Sequence, residues 1–221
     1  MEQFEPTERT RLRRLASRGS HDRKTIYGIL DEGLVCHVAY VNDGKPALTP
    51  TLYVRDGDRL CLHGAQANRT LRSIVGAEAA VNVTLLDGLV LARSAFHHSV
   101  NYRSVTLYGR GEEVSDPAEK ARIFELLVEH VAPGRWEGSR PPNDRESAAT
   151  LVVALPLEEC AAKLRSGPPI DDAEDLELPH WAGVLPSPRL WGTPEPAPDL
   201  RAEVEAPEYL LGYRRDSDAS G

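Results

Sequence analysis

A short polar segment at residues 63–70 has the residue types of an anion site. An apolar run ends at His63, small residues follow, and Asn68 can cap a helix that continues through Arg69 and Thr70. Free N–H groups at a helix N-terminus favour negative charge, and an arginine adds a planar fork of donors. A phosphate monoester would fit this segment. The residues alone favour an ordinary capped helix with a surface arginine, because no glycine-rich phosphate loop is present.

A second polar segment, residues 93–104, joins two predicted strands. His97 and His98 are adjacent, so in an extended chain their side chains point to opposite faces, which is the wrong spacing for two ligands of one zinc ion. We expect structural or solvent-facing histidines here and no metal site. The residues that follow can hydrogen-bond to the edge of a planar heterocycle: Asn101, Tyr102, Arg103 and Ser104.

A third group lies near the C-terminal end of the apolar part of the chain. Lys163 and Arg165 alternate with Leu164, so both can face one pocket. Trp181, followed by Gly183, is suited to be an aromatic lid or a packing anchor. Composition alone predicts a proline-stiffened coil for this stretch.

Hydrolytic chemistry has little support in this sequence. Neither a GxSxG elbow nor an HExxH helix is present. Cys61 and His63 share a face of a predicted strand, but a single pair of this kind is more often incidental than catalytic. A dinucleotide fingerprint GxGxxG is absent as well.

The composition excludes several classes of protein. The 221 residues carry a net charge of −8, which argues against general nucleic-acid binding. No apolar run approaches the roughly 20 residues of a membrane span, and the N-terminus lacks an apolar signal core. Three cysteines without a CxxC pair argue against a disulfide framework. We expect a cytoplasmic protein without nucleic-acid or membrane partners.

Periodicity and turn residues predict the elements that position these groups. A helix capped by Ser20 or Asp22 ends near Gly33, and another begins at Asp116. Between them the pattern predicts a short helix, Asn68–Val75. The predicted strands are Leu34–Val41, Ala47–Val54, Arg59–His63, Ala79–Leu86, Leu89–Phe96 (after a turn at Asp87-Gly88), Ser104–Arg110 and Thr150–Leu155, the last of them central. Residues 134–149 are predicted to form a loop. Six or seven strands in hairpins favour a closed or nearly closed antiparallel barrel.

Five stretches, in this order and spacing, resemble a known family. They are His21–Gly33, Leu60–Ala65, Ser94–Val105, Lys163–Pro168 and Trp181–Pro186. The sequence resembles the FMN-binding split barrels related to pyridoxamine 5'-phosphate oxidase, most closely the nitroimidazole-resistance (Nim-like) flavoproteins. The resemblance implies a mainly β fold, a six- or seven-stranded antiparallel split β-barrel, which forms a homodimer with FMN at the interface.

The resemblance also implies which residues bind the cofactor. Thr49, Pro50 and Thr51 would lie along the flavin ring, mainly through backbone atoms, with His63 and Gly64 beside the ribityl chain and phosphate. His63 is then the candidate to donate a proton or position the substrate, and a plain FMN contact is its alternative role.

The phosphate clamp of the oxidases, Ser-Arg-Lys, falls on Asn68, Arg69 and Thr70, so one positive charge is missing here. Another basic residue would have to supply that charge, or FMN would bind more weakly. The remaining implied contacts are Tyr102, Arg103 and Ser104 at the polar edge of the ring, and Lys163, Arg165 and Trp181 from the other subunit or from a lid of the same chain.

The resemblance implies an FMN-dependent oxidoreductase that reduces a small molecule such as a nitroimidazole, with NAD(P)H as a transient electron donor. A non-catalytic flavin- or heme-binding protein is an alternative, with His97, His98 or His180 as heme ligands. A pyridoxamine 5'-phosphate oxidase is less favoured, because no Arg-x-His sequence occurs near the C-terminus.

The predicted organisation has three parts. Residues 1–20 form an N-terminal arm. A basic cluster runs from Arg9 in this arm to Lys24, and it is either a solvated surface or a site that binds phosphate or a partner. Residues 21–190 form the FMN-binding domain with a wrapping segment at its end, and residues 191–221 form a proline-rich, mobile tail.

Overall fold

The computed structural model describes residues 2–13, 15–201 and 203–215. Within these ranges the chain forms five helices: α1 (Arg23–Glu32), α2 (Arg69–Ile74), α3 (Pro117–Val131), α4 (Asp144–Ala149) and α5 (Glu208–Leu211). The ten strands of the described ranges are β1 (Gly19–Ser20), β2 (Val35–Asn42), β3 (Lys45–Asp56), β4 (Arg59–Ala65), β5 (Glu78–Leu91), β6 (Ser99–Arg110), β7 (Glu112–Glu113), β8 (Thr150–Pro156), β9 (Glu159–Arg165) and β10 (Gly183–Pro186). No helix of the described part is long and apolar enough to cross a membrane.

All strand pairs of the sheet are antiparallel, in the order β1-β9-β6-β5-β2-β3-β4-β8-β7, with β10 paired to β5. This confirms the expected mainly β, antiparallel split-barrel fold. The strand count exceeds the predicted six or seven, because β1 and β7 have only two residues each and because β9 and β10 lie in a stretch whose composition predicted coil.

The barrel interior is filled by alternate strand residues, as a two-residue repeat requires. Cys36, Val38 and Tyr40 of β2 point inward, and α1 covers one end of the barrel with Ile26 and Leu30. A second apolar cluster lies on the outer face of β4 and β8, where α3 packs through residues that include Ile123, Phe124 and Leu127.

Three predicted helix starts are confirmed by their capping hydrogen bonds. Asp22, Asn68 and Asp116 accept from the backbone N–H groups three residues later, at 2.9, 3.0 and 2.8 Å. Asp22 rather than Ser20 is therefore the cap of α1.

The prediction of two strands separated by a turn at Asp87-Gly88 is wrong. β5 continues through both residues with an irregularity between Leu86 and Gly88, and β10 pairs with β5 over Gly88–Leu91. A Cβ on Gly88 would lie 2.8 Å from the Leu185 carbonyl oxygen, so the glycine permits close approach of two strands. The strand also ends earlier than predicted, and Ala95–His97 form a 3₁₀ turn.

Other elements differ from the predicted ones for local reasons. The predicted loop at 134–149 contains α4, whose start is a capping box between Asn143 and Glu146. β6 begins at Ser99, five residues before the predicted strand. β8 is apolar as predicted but not central: beyond it lies only β7, and its outer face is covered by α3.

Both terminal segments contact the rest of the chain, the N-terminal arm at the barrel and the C-terminal segment at α3. In the N-terminal arm Phe4 is buried, and Arg9 pairs with Glu78 and Glu159. Near the other end, Tyr213 donates from its hydroxyl to the Val131 carbonyl at 2.5 Å. Arg14 of the basic cluster and residues 216–221 of the predicted tail lie outside the described residues. The division into arm, domain and tail stays a prediction.

Candidate functional site

The barrel is split between β3 and β4. β3 pairs with β2 over Lys45–Leu52 and with β4 only over Tyr53–Asp56. β4 continues beyond that point against β8. The two strands therefore diverge, and the opening has Thr49–Thr51 on one side and His63–Gly64 on the other. Alternate backbone groups of the first half of β3 face this opening instead of a strand partner.

A cluster of hydroxyls lies where α2 meets the split. The Thr70 hydroxyl oxygen is 3.0 Å from that of Tyr40 and 3.1 Å from that of Thr49. Hydrogen bonds to the Tyr40 hydroxyl, first from Thr70 and then from Thr49, lower the pKa of Tyr40, and the neighbouring Arg69 guanidinium adds to the effect. Three hydroxyls and an exposed cation thus converge at one end of the split.

Asn68 and Gly64 set how closely α2 approaches β4. The Asn68 side-chain oxygen caps α2 by accepting from the Leu71 N–H, and a Cβ on Gly64 would lie 2.9 Å from the Asn68 side-chain nitrogen. Glycine therefore permits the contact that brings Arg69 and Thr70 against the end of β4.

His63 lies on the outer face of β4, opposite Val152 of β8. Its Nδ1 atom is buried and has no hydrogen-bond partner among the described residues. Burial lowers the pKa of His63, so the imidazole is neutral at neutral pH. A neutral imidazole is a hydrogen-bonding or ligating group rather than a ready acid. Cys61 shares this face as predicted, but burial raises the pKa of its thiol to about 12, which leaves it unreactive.

A second set of predicted residues lies elsewhere in the sheet. Tyr102 pairs with Arg165, and Ser104 with Lys163, on the outer faces of β6 and β9. β5 and β2 separate β6 from β3, so one chain does not bring this set to the β3–β4 split.

Arg103 and Trp181 have other contacts within the chain. Arg103 donates to Glu32 of α1 at 2.8 Å and to Asp87 at 2.7 Å, which links α1 to β5. The Trp181 ring lies over Gly183, where a Cβ would be 2.8 Å from a ring carbon, although the side chain is largely exposed.

The loop histidines are placed by their neighbours. His97 Nε2 lies 3.0 Å from an Asp172 carboxylate oxygen, which raises the pKa of His97. Three potential metal-ligand atoms lie within 4.8 Å of one another, one each from His97, Asp172 and Asp175. His98 Nδ1 lies 3.0 Å from the Ser94 carbonyl oxygen, and His180 is exposed. The expectation of no metal site stays a prediction.

Sequence reasoning did not select Tyr40 as a site residue. Its inward position follows from alternation with Cys36 and Val38, but the contact with Thr70 joins residues 30 apart in sequence. No local pattern in the sequence could have indicated that contact.

Comparison with known proteins identifies the family. The family model described as pyridoxamine 5'-phosphate oxidase matches residues 22–164, so the chain belongs to this family of flavin-binding proteins. A comparison with curated proteins finds no match.

Two solved structures are similar over most of the chain. One is the flavocytochrome Anf3 from Azotobacter vinelandii, with 41% identity, a TM-score of 0.90, and coverage of 95% of this chain and 98% of that one. Another is a FAD and heme binding protein from Mycobacterium smegmatis, with 38% identity, a TM-score of 0.84, and coverage of 88% and 96%.

A third solved structure shares the fold. It is a proposed 5-nitroimidazole antibiotic resistance protein from Bacteroides thetaiotaomicron, with 19% identity, a TM-score of 0.55, and coverage of 66% of this chain and 85% of that chain.

Proposed function

We propose that this chain is an oxidoreductase that binds a flavin in the split between β3 and β4 and uses it to reduce a small molecule. The observation that carries the proposal is the divergence of the two strands next to a cluster of Tyr40, Thr49, Thr70 and Arg69. An open strand edge can hydrogen-bond to the ring, and the hydroxyls with the guanidinium suit a phosphate. When bound, the flavin supplies hydride or electron transfer.

Each side of the split has a defined role in this proposal. Backbone atoms at Thr49, Pro50 and Thr51 contact the ring, and Arg69 and Thr70 hold the phosphate. His63 supports the fit because a buried ring nitrogen without a partner is rare in folded proteins. Its neutral imidazole positions a polar group of the flavin or the substrate, and protons arrive from elsewhere.

FMN is the flavin we propose, on the resemblance of the sequence to FMN-binding barrels. FAD is the rival, because a relative 38% identical is described as binding FAD. Titration of flavin-free protein with FMN and with FAD decides between them. The tighter-binding flavin should also be the one that co-purifies.

We further propose a homodimer. Val35, Val41 and Leu48 point away from the core on β2 and β3 and are 50%, 65% and 65% exposed. Exposed apolar side chains on one face of two neighbouring strands favour an interaction surface. Sedimentation equilibrium should give twice the mass of the chain, and Leu48→Lys should shift the protein toward monomer.

Anaerobic reduction tests the redox function. The flavin-loaded protein is mixed with NADH or NADPH, and oxidants that include nitroimidazoles are then added. Bleaching of the flavin spectrum by a nicotinamide and its return with a nitroimidazole are the expected results. A flavin that neither nicotinamide reduces and no oxidant of the panel turns over would contradict an NAD(P)H-dependent reductase.

Heme binding is a second candidate function. The two relatives above 35% identity are described as a flavocytochrome and as a FAD and heme binding protein. A histidine that ligates heme needs a ring nitrogen that is not committed to another partner. His63 fits this requirement through Nδ1, and His97, His98 and His180 remain ligand candidates from the sequence. Protein reconstituted with hemin should show an intense Soret band. If only one of the His→Ala variants loses this band, that histidine is the heme ligand.

A further inference from the structure

Two cations on β9 face away from the barrel core. Cys160 and Ala162 are fully buried inside, so Lys163 and Arg165 project from the opposite face of the strand. On this face Lys163 is opposite Ser104 and Arg165 is opposite Tyr102.

Arg165 is buried without a counter-charge. It is 7% exposed, and its guanidinium donates only to neutral oxygens: the Asn101 side chain, the Gly167 carbonyl at 3.1 Å and the Pro168 carbonyl at 3.1 Å. Its Nε atom is buried and has no partner in the described ranges. Burial of an unpaired charge is unfavourable, and a bound anion would relieve the cost.

Arg18, from the N-terminal basic cluster, adds positive charge at the same place. β1 pairs Gly19 with Lys163, which puts Arg18 beside the end of β9. Arg18 is near enough to Arg165 for its charge to lower the pKa of Arg165, after the larger effect of burial. None of Arg18, Lys163 and Arg165 forms an ion pair within the described part of the chain.

The neighbouring carboxylates are engaged with other groups. Asp171 is paired with Arg93. Its carboxylate accepts from the Arg93 backbone N–H at 3.0 Å and from the Arg93 guanidinium at 2.8 Å. Asp172 is paired with His97. A chain with a net charge of −8 thus has a local group of three cations that its own acids do not neutralise.

We propose that Arg18, Lys163 and Arg165 form a second oxyanion site, separate from the β3–β4 split, which binds a phosphate or carboxylate group of a small molecule. Arg18 and Lys163 are half-exposed and contact the anion, and buried Arg165 contributes a fixed positive potential. Such a group belongs to an anionic substrate of the proposed reductase, an assignment that rests on the proposed function.

Inorganic phosphate is the first probe. Its effect on the unfolding temperature of the full chain is measured against chloride at equal ionic strength, in an Arg69→Ala background that removes the guanidinium of the other anion site. We expect phosphate to raise the unfolding temperature, and Arg18→Gln or Lys163→Gln to weaken the apparent phosphate affinity at least fivefold. Arg13→Gln, an exposed arginine of the same arm, is the matched control and should retain the response.

A phosphate response that is absent, or equal in all these variants, would overturn the proposal. Arg165→Gln is left as a secondary variant because a buried site tolerates change poorly, whereas Arg18 and Lys163 can be exchanged without opening the core. Failure to bind any flavin would refute the proposed function and leave the phosphate result standing, so the two failures are distinguishable.

The substrate assignment is then tested with both flavins and with substrates of different charge. Arg18→Gln should leave the affinities for FMN and FAD unchanged, because the two phosphates of FAD are joined in one pyrophosphate at the Arg69 site. In the same variant KM should rise for 4-nitrobenzoate but not for neutral 4-nitrobenzyl alcohol. Loss of the phosphate response with no change in any of these constants would mean an adventitious ion only, and would contradict the ligand assignment.

Discussion

The Thr70 hydroxyl oxygen lies 3.1 Å from the Thr49 hydroxyl oxygen, which joins the first turn of α2 to the middle of β3. Tyr40 completes the contact from β2 at 3.0 Å. Two sides of the split are thereby held at a fixed separation by side chains that are themselves polar. A cofactor that enters the split meets a preformed hydroxyl cluster rather than a flexible loop.

Arg69→Ala should weaken flavin phosphate binding by about 1.5–3 kcal/mol, the range for a hydrogen bond to a charged group. That corresponds to a roughly ten- to hundredfold higher Kd for FMN, measured by quenching of flavin fluorescence. Riboflavin, which lacks the phosphate, should be affected little. Arg201→Ala, an exposed arginine paired only loosely with Glu203, serves as the control. Equal FMN affinity in the Arg69 variant and the control would show that the phosphate lies elsewhere.

Tyr40→Phe should weaken FMN by about 1 kcal/mol, the usual size of a neutral hydrogen bond. The ring stays in the core, so folding is preserved while the hydroxyl that reaches Thr70 is lost. Tyr108→Phe removes a hydroxyl on the far part of the sheet and is the matched control. If the Tyr40 variant binds FMN as tightly as wild type, the hydroxyl cluster does not contribute to FMN binding.

The sequence was sufficient to predict the elements with strong local signals. Caps at Asp22, Asn68 and Asp116, and the hairpins around β2, β3 and β4, depend on neighbours a few residues apart. Those interactions are visible in the order of residues, and so the first group of site residues could be placed on the correct strands.

Long-range packing accounts for the parts that could not be predicted. Gly88 follows an aspartate, as in a turn, yet it lies inside β5, where β10 pairs alongside and a Cβ would meet the Leu185 carbonyl oxygen. β9 carries small and charged residues, and its pairing with β6 and β1, both distant in sequence, makes it a strand. The capping box of α4 is the exception, since Asn143 and Glu146 have the required spacing and the signal was present in the sequence.

The ion-pair group at Arg103 predicts a loss of stability. Arg103 links Glu32 and Asp87, and its replacement leaves two partly buried carboxylates without their shared partner. Arg103→Met should lower the free energy of unfolding by about 1–3 kcal/mol, measured by urea denaturation. An unfolding midpoint equal to that of wild type would show that the carboxylates are satisfied by solvent.

Stability should fall as the pH drops below about 6.5, the ordinary pKa of histidine. Burial lowers the pKa of His63 and of His130, so the unfolded chain binds protons in this range before the folded chain does. Stability is therefore complete above the unfolded pKa and is lost on acidification, by up to about 1.4 kcal/mol per pH unit for each histidine.

His130→Gln tests this contribution. His130 Nε2 donates to the Gly33 carbonyl at 2.7 Å, which a glutamine amide can replace without a titratable group. Urea denaturation between pH 7 and about pH 5.5 should show a shallower decline in the variant. If the free energy of unfolding falls equally with pH in the variant and in wild type, His130 does not contribute to the pH dependence.

Amide hydrogen exchange of the full chain with and without bound flavin tests the location of the site most directly. Bound flavin should slow exchange in residues 45–52 of β3 and 63–70 at the start of α2, because backbone groups there gain partners and are shielded from water. Exchange in β7 and β8, on the far side of β4, should change little. Protection confined to other segments, with flavin demonstrably bound, would contradict a flavin site between β3 and β4.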